Sequence, residues 1–388
     1  MKMSDLDLQK FCHRLPKVEL HAHLNTTYSL PTLRLLLESN NGSENIEDMY
    51  FTTSHPIAES FKLFTKIQSL VTTPEDVYIL TKSIIEEYAQ ENVKYLELRS
   101  TPKHIPSSGM TKEVYLRTMI EAIKDSESEG YPIIVRILVS IDRRQGLENA
   151  RVAVDLAEKL MNEDNIVVGI DFSGDPEVGD AADYIPVFLD AAKRKLKLAL
   201  HLAELNKEHS FQETVKVLEQ CCNLPIRIGH GTFLHHAQQN DKWSALANLV
   251  YTKKIPIEAC ITSNLKTETV HCLEQHHFKY WKDRGHPVIL CADGKGVYNT
   301  SLSQEYFLAM SAFQLTQQEL KDYVVGTLDS IFGSDEIKEE LRTEFTSLMS
   351  TLPSVCKRYH LNNCNKHLFY CYKTSPEIFT RVTCNYSQ

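Results

Sequence analysis

Eight short runs of β-branched and aliphatic residues recur along this 388-residue chain, separated by segments with helical spacing. That alternation constrains the fold more than any other feature. The runs cover 18–24, 93–101, 133–142, 167–174, 198–204, 226–232, 255–264 and 287–293. Several are continuous in apolar residues, as in Ile133-Ile134-Val135 and Val288-Ile289-Leu290, which is how strands covered on both faces read. Segments 76–90, 147–160, 184–195 and 211–220 place apolar residues on one helical face; in the first these are Val77, Leu80, Ile84, Ile85 and Tyr88. Strand and helix alternating about eight times predict parallel strands with right-handed crossovers. Eight such units predict an α/β fold, a (β/α)8 TIM barrel. A doubly wound open sheet is the rival, and the lack of a GxGxxG after the first run counts against it.

The first crossover is long, from residue 25 to about 91. It predicts a helical insertion after strand 1, near 31–37 and 58–70, that lids the barrel mouth. Segments 303–313, 318–332 and 336–349 predict C-terminal helices. Residues 11–352 are therefore expected to form one barrel domain. Residues 353–388 are Asn-, Tyr- and Cys-rich without periodicity, and predict a loosely packed or disordered extension. Cys356, Cys364, Cys371 and Cys384 are spaced too irregularly for a zinc finger.

A formal net charge of -9 argues against a partner such as a nucleic-acid polymer or an acidic membrane, while leaving room for a small anionic substrate. No stretch of about 18 apolar residues predicts a membrane span, and the opening residues lack the apolar core of a secretory signal. The ten cysteines form no CxxC pair. Cys260 and Cys291 lie within apolar runs and read as small buried hydrophobes. A cytoplasmic monomer in a reducing compartment is expected.

In such a barrel, residues at the C-terminal ends of the strands face the active site. The eight runs end in His21/His23, Arg99-Ser100-Thr101, Asp142, Ser173-Gly174-Asp175, His201/Glu204, His230, Thr262-Ser263-Asn264 and Asp293. Polar groups converging without partners would cost about 1–3 kcal/mol each, so the pattern points to a site. His21 and His23 share one strand face. With His201 and Asp293 they make a nitrogen-rich, thiolate-free set that suits zinc with one open position for water. Zinc lowers the pKa of water to about 7, making hydroxide available. Glu204 falls just above the fifth strand, where a carboxyl can exchange a proton with substrate. His230, between Gly229 and Gly231, could orient the hydroxide or stabilise developing charge. The alternative for Glu204 is a solvated loop carboxylate, and for His230 a packed core histidine. His235-His236 and His276-His277 lie outside the strand ends and read as surface pairs or as supports for the metal ligands.

Taken in order, His21-Ala22-His23-Leu24-Asn25, Ser173-Gly174-Asp175-Pro176, His201-Leu202-Ala203-Glu204, Gly229-His230-Gly231, Thr262-Ser263-Asn264 and Asp293 resemble the adenosine and AMP deaminase family. Within it, Leu98-Arg99-Ser100-Thr101-Pro102 and Val139-Ser140-Ile141-Asp142-Arg143-Arg144 resemble the adenosine deaminase-like branch, the N6-methyl-AMP deaminases. The resemblance implies hydrolytic loss of the purine 6-amino or N6-alkylamino group, most directly N6-methyl-AMP to IMP and amine, in nucleotide metabolism. It implies one Zn2+ per chain held by His21, His23, His201 and Asp293. Glu204 would donate a proton to purine N1 and His230 would orient hydroxide. His23, Asn25, Gln68, Ser100, Thr101, Pro102, Lys103, Asp142, Gly174 and Gly294 would bind substrate. An adenosine deaminase, a zinc- and nucleotide-binding homologue without turnover, and a zinc hydrolase of another cyclic C–N bond are the rivals.

The chain departs from the family pattern at four places. Two adjacent aspartates are expected after the eighth strand, the second contacting purine N7; here they read Asp293-Gly294. Asn-Gly is expected after the first strand, and Asn25-Thr26 stands there. The branch has His where Gln68 aligns and Arg where Lys103 aligns. Lysine meets phosphate as a point charge, without arginine's fork. A working deaminase, slower or with retuned purine recognition, is expected.

Overall fold

The computed structural model describes residues 5–39, 45–235 and 241–352; the expected extension 353–388 lies outside them. Helix α1 (Asp5–Arg14) precedes β1 (Lys17–His23). The chain then runs α2 (Leu30–Ser39), α3 (Ile57–Gln68), α4 (Pro74–Gln90), β2 (Val93–Ser100), α5 (Lys112–Ser128), β3 (Ile134–Asp142), α6 (Gly146–Asp164) and β4 (Val167–Ser173). It continues through α7 (Ile185–Lys193), β5 (Lys197–Leu202), α8 (Glu208–Cys221), β6 (Ile226–His230), α9 (Asp241–Lys253) and β7 (Ile257–Ala259). Short α10 (Ile261–Lys266) and α11 (His277–Lys282) lead to β8 (Val288–Leu290), and α12 (Leu302–Ala312), α13 (Gln317–Thr327) and α14 (Asp335–Ser350) follow. The eight strands pair in parallel in the order β1 to β8. A bridge between Ala22 and Asp293 brings the two ends of the sheet together. This is the expected α/β barrel, with the helical insertion after β1.

Local chemistry explains the helices. Thr73 caps α4 in a reciprocal capping box with Asp76, and Pro74 occupies its first turn. The expected face of α4, Val77, Leu80, Ile84, Ile85 and Tyr88, is buried. Among the described residues, no helix is long and apolar enough to cross a membrane.

Two strands are shorter than their apolar runs. The seventh stops at Ala259, and Thr262, Ser263 and Asn264 lie on α10. These polar groups find better partners off the ladder: Thr262 N–H donates to Glu305 Oε2 (2.9 Å), Ser263 Oγ to Asp293 Oδ2 (2.8 Å) and Asn264 Nδ2 to Thr232 Oγ1 (3.3 Å). The eighth strand stops at Leu290, so Asp293 sits above it.

The lower barrel interior is charged rather than apolar. Glu19, Glu97, Arg99, Asp171, Arg227 and Glu258 are all buried, and they occupy mid-strand positions. Arg227 Nη2 lies 2.5 Å from Glu97 Oε2, and its Nε lies 2.6 Å from Glu258 Oε1. Its guanidinium also stacks 3.6 Å from the Phe332 ring centre. Removing one member leaves an uncompensated buried charge, which costs about 3–5 kcal/mol. Arg227→Met is therefore expected to lose about that much stability, read as a lower urea midpoint at unchanged slope. A midpoint equal to wild type would contradict this account of the core.

Candidate active site

The charged layer carries the site. On β1, Glu19, His21 and His23 alternate onto one face. His21 Nδ1 lies 2.7 Å from Glu258 Oε2. Burial opposes ionisation of Glu258, but Arg99 and Arg227 outweigh it and hold the carboxyl below its usual range. The carboxylate therefore fixes the His21 proton on Nδ1 and turns the Nε2 lone pair upward. On β5, His201 Nδ1 approaches Asp171 Oδ1 at 3.2 Å, close enough for an ion pair but without hydrogen-bond alignment. Arg99 joins the two carboxylates, 3.0 Å from Asp171 Oδ1 and 2.9 Å from Glu258 Oε2. Gly229 makes room for the His201 ring, since a Cβ there would lie 3.1 Å from its Nδ1.

Above this layer, His23 Nε2 lies 3.3 Å from His21 Nε2 and 3.2 Å from His201 Nε2. Asp293 Oδ1 lies 3.8 Å from His21 Nε2 and 3.7 Å from His23 Nε2. Burial holds His23 down at about 3 and His21 well below its usual range, so these rings are neutral. His201 differs, since burial is outweighed by Asp171 and Glu204, which raise its pKa and draw a proton to the cluster; a cation bound there would answer all four donors. A tetrahedral shell with bonds of about 2.0–2.1 Å has edges of roughly 3.3 Å, close to the nitrogen spacings. The donor set fits a metal, and His21 with His230 and Asp293 forms an overlapping group.

Glu204 and His230 face this cluster. His230 Nε2 lies 3.8 Å from Glu204 Oε2 and 3.9 Å from Asp293 Oδ2. Burial pushes the Glu204 carboxyl up to about 7 and that of Asp293 up to about 6; burial also holds His230 well below its usual range. Ala203, His230 and Asp293 all adopt left-handed backbone, at φ 55°, 59° and 57°. Three strained residues at three strand ends mark a site that the surrounding packing holds against relaxation.

A cavity of about 480 Å³ opens over these groups. His23, Asn25, Gln68, Ser100, Thr101, Pro102, Lys103, Asp142 and Gly174 line it, with His201, Glu204, His230 and Asp293 at its base. Gly294 is not among the lining residues. Asn25 Oδ1 is buried without a hydrogen-bond partner, while its Nδ2 reaches Ser100 Oγ at 3.4 Å. Asp142 is already engaged, its Oδ2 2.6 Å from Arg144 Nη2. Lys103 does not stand free for an anion: its ammonium donates to the carbonyls of Gln68 and Val71 (3.0 Å for the latter), and burial lowers it to about 8. The insertion lids the cavity with Ile57, Phe61, Phe64 and Gln68, which share one face of α3.

Sequence reasoning missed Asp171, Glu258, Arg227, Glu97 and Glu19 as supports. A partial signal was present for three of them: Glu19, Glu97 and Asp171 each lie two residues before a strand-end group, His21, Arg99 and Ser173. Lys112 was also missed; it lines the cavity and donates to Asn149 Oδ1 at 2.5 Å. His276 and His277 are buried rather than superficial, and His276 Nε2 lies 3.0 Å from Asn264 Oδ1. His235 Nδ1 lies 2.7 Å from the Thr232 carbonyl; His236 lies outside the described residues.

The adenosine deaminase family model matches residues 16–347. The chain belongs to the adenosine deaminase family. Its members are hydrolytic deaminases, and so is this one. An N6-methyl-AMP deaminase of Bos taurus is 42% identical over 342 residues, covering 87% of this chain and 95% of that protein. Crystal structures of Arabidopsis N6-mAMP deaminase and of Arabidopsis ADAL complexed with IMP are 36% and 35% identical, each with a TM-score of 0.76. Both cover 87% of this chain, and it covers 99% and 98% of them.

Gly174 marks how tightly this deaminase's pocket wall is built. Its φ is 107°, and a Cβ there would lie 2.5 Å from Asp142 Oδ1. Gly174→Ala is expected to lose about 1–3 kcal/mol of stability, read by urea unfolding, and to displace Asp142 from Arg144. An unchanged midpoint would mean that the wall yields.

Proposed function

We propose that this chain hydrolyses the 6-substituent of a purine nucleoside 5′-monophosphate, with N6-methyl-AMP the preferred substrate, giving IMP and methylamine. The observation that carries the proposal is the convergence of three histidine nitrogens and the Asp293 carboxylate beneath Glu204 and His230. The names of the relatives and the IMP-bound neighbour support the substrate class. Lys112, which lines the cavity and donates to the neutral Asn149 amide, suits a 5′-phosphate.

His21, His23, His201 and Asp293 would hold one zinc ion per chain. Bound there, zinc supplies hydroxide at neutral pH by lowering the pKa of water to about 7. The remaining steps fall to the chain's own side chains. Glu204 gives its proton to purine N1, so the charge that enters the ring on addition to C6 is neutralised at that atom. His230, neutral and flanked by Glu204 and Asp293, orients the nucleophile toward C6. Asp293 keeps one carboxylate oxygen on Ser263 and leaves the other for the metal. Glu204, now the carboxylate, takes the proton of the C6 hydroxyl and passes it to the amine as the C6–N bond breaks, leaving the 6-oxo purine, and the lid of α3 keeps bulk water from the ring. The protein acts as a monomer in a reducing cytoplasm, consistent with free thiols at Cys12, Cys221, Cys260 and Cys291, and engages no nucleic-acid polymer.

The test is an ultraviolet deaminase assay of zinc-replete protein with N6-methyl-AMP, AMP and adenosine. Turnover is expected, fastest with N6-methyl-AMP, with a Glu204→Gln loss of at least about a hundredfold. His201→Ala should retain less than one zinc per chain. A zinc-loaded protein that turns over none of the three overturns the proposal. The active form of Glu204 is the protonated one, since it is the donor. With its carboxyl pushed up to about 7, kcat/KM is expected to fall as pH rises above that value, the basic limb of a bell whose acidic limb belongs to formation of the hydroxide. A profile that rises across the same range would assign Glu204 the role of base instead.

A further inference from the structure

Position 294 is a glycine because another residue fills its space. A Cβ built there would lie 2.7 Å from Thr26 Oγ1, 2.9 Å from Thr26 Cβ and 2.7 Å from Val297 Cγ1. Thr26 itself lines the cavity, although only 7% of it is exposed. The backbone pins it in place: its carbonyl accepts from the N–H groups of Gly296 and Val297, each at 3.0 Å. The two departures from the family pattern, Thr26 and Gly294, are therefore one exchange of side chain across a shared space.

We propose that the Thr26 hydroxyl is the specificity-determining contact to N7 of the bound purine. Topology carries the placement. The strands run in order from β1 to β8 and meet at the Ala22–Asp293 bridge, so β5 stands opposite β1. Glu204 follows β5, and Thr26 follows β1. In a purine, C6 lies between N1 and C5, and C5 carries N7. A ring that presents N1 to Glu204 turns its N7 edge to the β1–β8 wall, where Thr26 stands. N7 is an acceptor and needs a donor. The Thr26 hydroxyl makes only a 3.4 Å contact with the His23 carbonyl, longer than a good O–H···O bond, so its proton is available. A hydroxyl donates at any working pH, whereas a carboxyl at position 294 would donate only when protonated.

The inference rests on the purine-nucleotide reading above, and the test separates the two. Binding of IMP and of 7-deaza-IMP, which lacks the N7 acceptor, is measured by calorimetry on zinc-replete wild type and Thr26→Val. Wild type is expected to prefer IMP by about three- to tenfold, and Thr26→Val to bind the two equally. A preference unchanged in Thr26→Val, or absent in wild type, overturns the inference and leaves the nucleotide reading intact. Failure of wild type to bind IMP at all overturns the nucleotide reading itself. For the shared space, Gly294→Ser is expected to lower Tm by several degrees, and adding Thr26→Gly to restore most of the loss. An unchanged Tm in Gly294→Ser, or no restoration in the double variant, overturns the exchange.

Discussion

The Glu258 carboxylate is the group on which the rest of the site depends. One oxygen takes the His21 ring and Arg99; the other takes Arg227. Burying ions this deeply is a poor way to stabilise a barrel, because desolvation consumes much of the Coulombic gain. The layer is better understood through what it fixes. Metal-ligating histidines need their second nitrogen anchored to set tautomer and ring direction. Glu258 does that for His21 and Asp171 stands 3.2 Å from the Nδ1 of His201, the two histidines proposed to meet the metal, and Arg99 ties the two carboxylates together. Glu19 belongs to the same scaffold but differs in charge. Burial pushes it up to about 8, and it accepts from the N–H groups of His21 and Ala292, joining the two chain segments that carry His21 and Asp293.

Strain at the strand ends follows from that rigidity. A left-handed backbone at a non-glycine residue costs of order 1–3 kcal/mol. Ala203, His230 and Asp293 each adopt it where β5, β6 and β8 give way to loops. With these turns, His230 Nε2 stands between Glu204 and Asp293, 3.8 Å from Oε2 of the first and 3.9 Å from Oδ2 of the second. A flexible floor would let these turns relax; the ion-paired floor does not.

Most of the fold was legible because the strands are buried on both faces and the helices on one, and those are the patterns that survive in a single sequence. The strand-end residues were legible for a related reason, since polar groups at eight successive run ends have no structural motive. What escaped was relational. Glu97, Asp171, Arg227 and Glu258 interrupt apolar runs one at a time, and a lone charge within a run says nothing about three others on neighbouring strands. Thr262 to Asn264 read as strand because their partners, Glu305, Asp293 and Thr232, are distant in sequence. Lys103 was expected to await phosphate, yet its ammonium is held by lid carbonyls, a contact that depends on how α3 ends. The extension from residue 353 was named from composition alone and lies outside the described residues.

The barrel separates chemistry from recognition by wall. The proposed proton donor follows β5, the proposed orienting histidine ends β6, and the proposed metal donors sit on β1, β5 and the β8 loop. All rest directly on the charged layer. The residues that would choose the substrate, from the α3 face to the loops after β2 and β3, sit above it and touch the ligands little. Two family departures, Gln68 and Lys103, fall in that second set, where the Lys103 ammonium donates to the Gln68 main-chain carbonyl; the other two, Thr26 and Gly294, share one space at the β1–β8 wall. At that wall one departure is thus answered by the other. A chain losing its function would have no reason to keep that pair matched while also keeping every donor of the proposed metal set. The coupling within the pair, more than the survival of any one residue, argues that the pocket was rebuilt around a ligand.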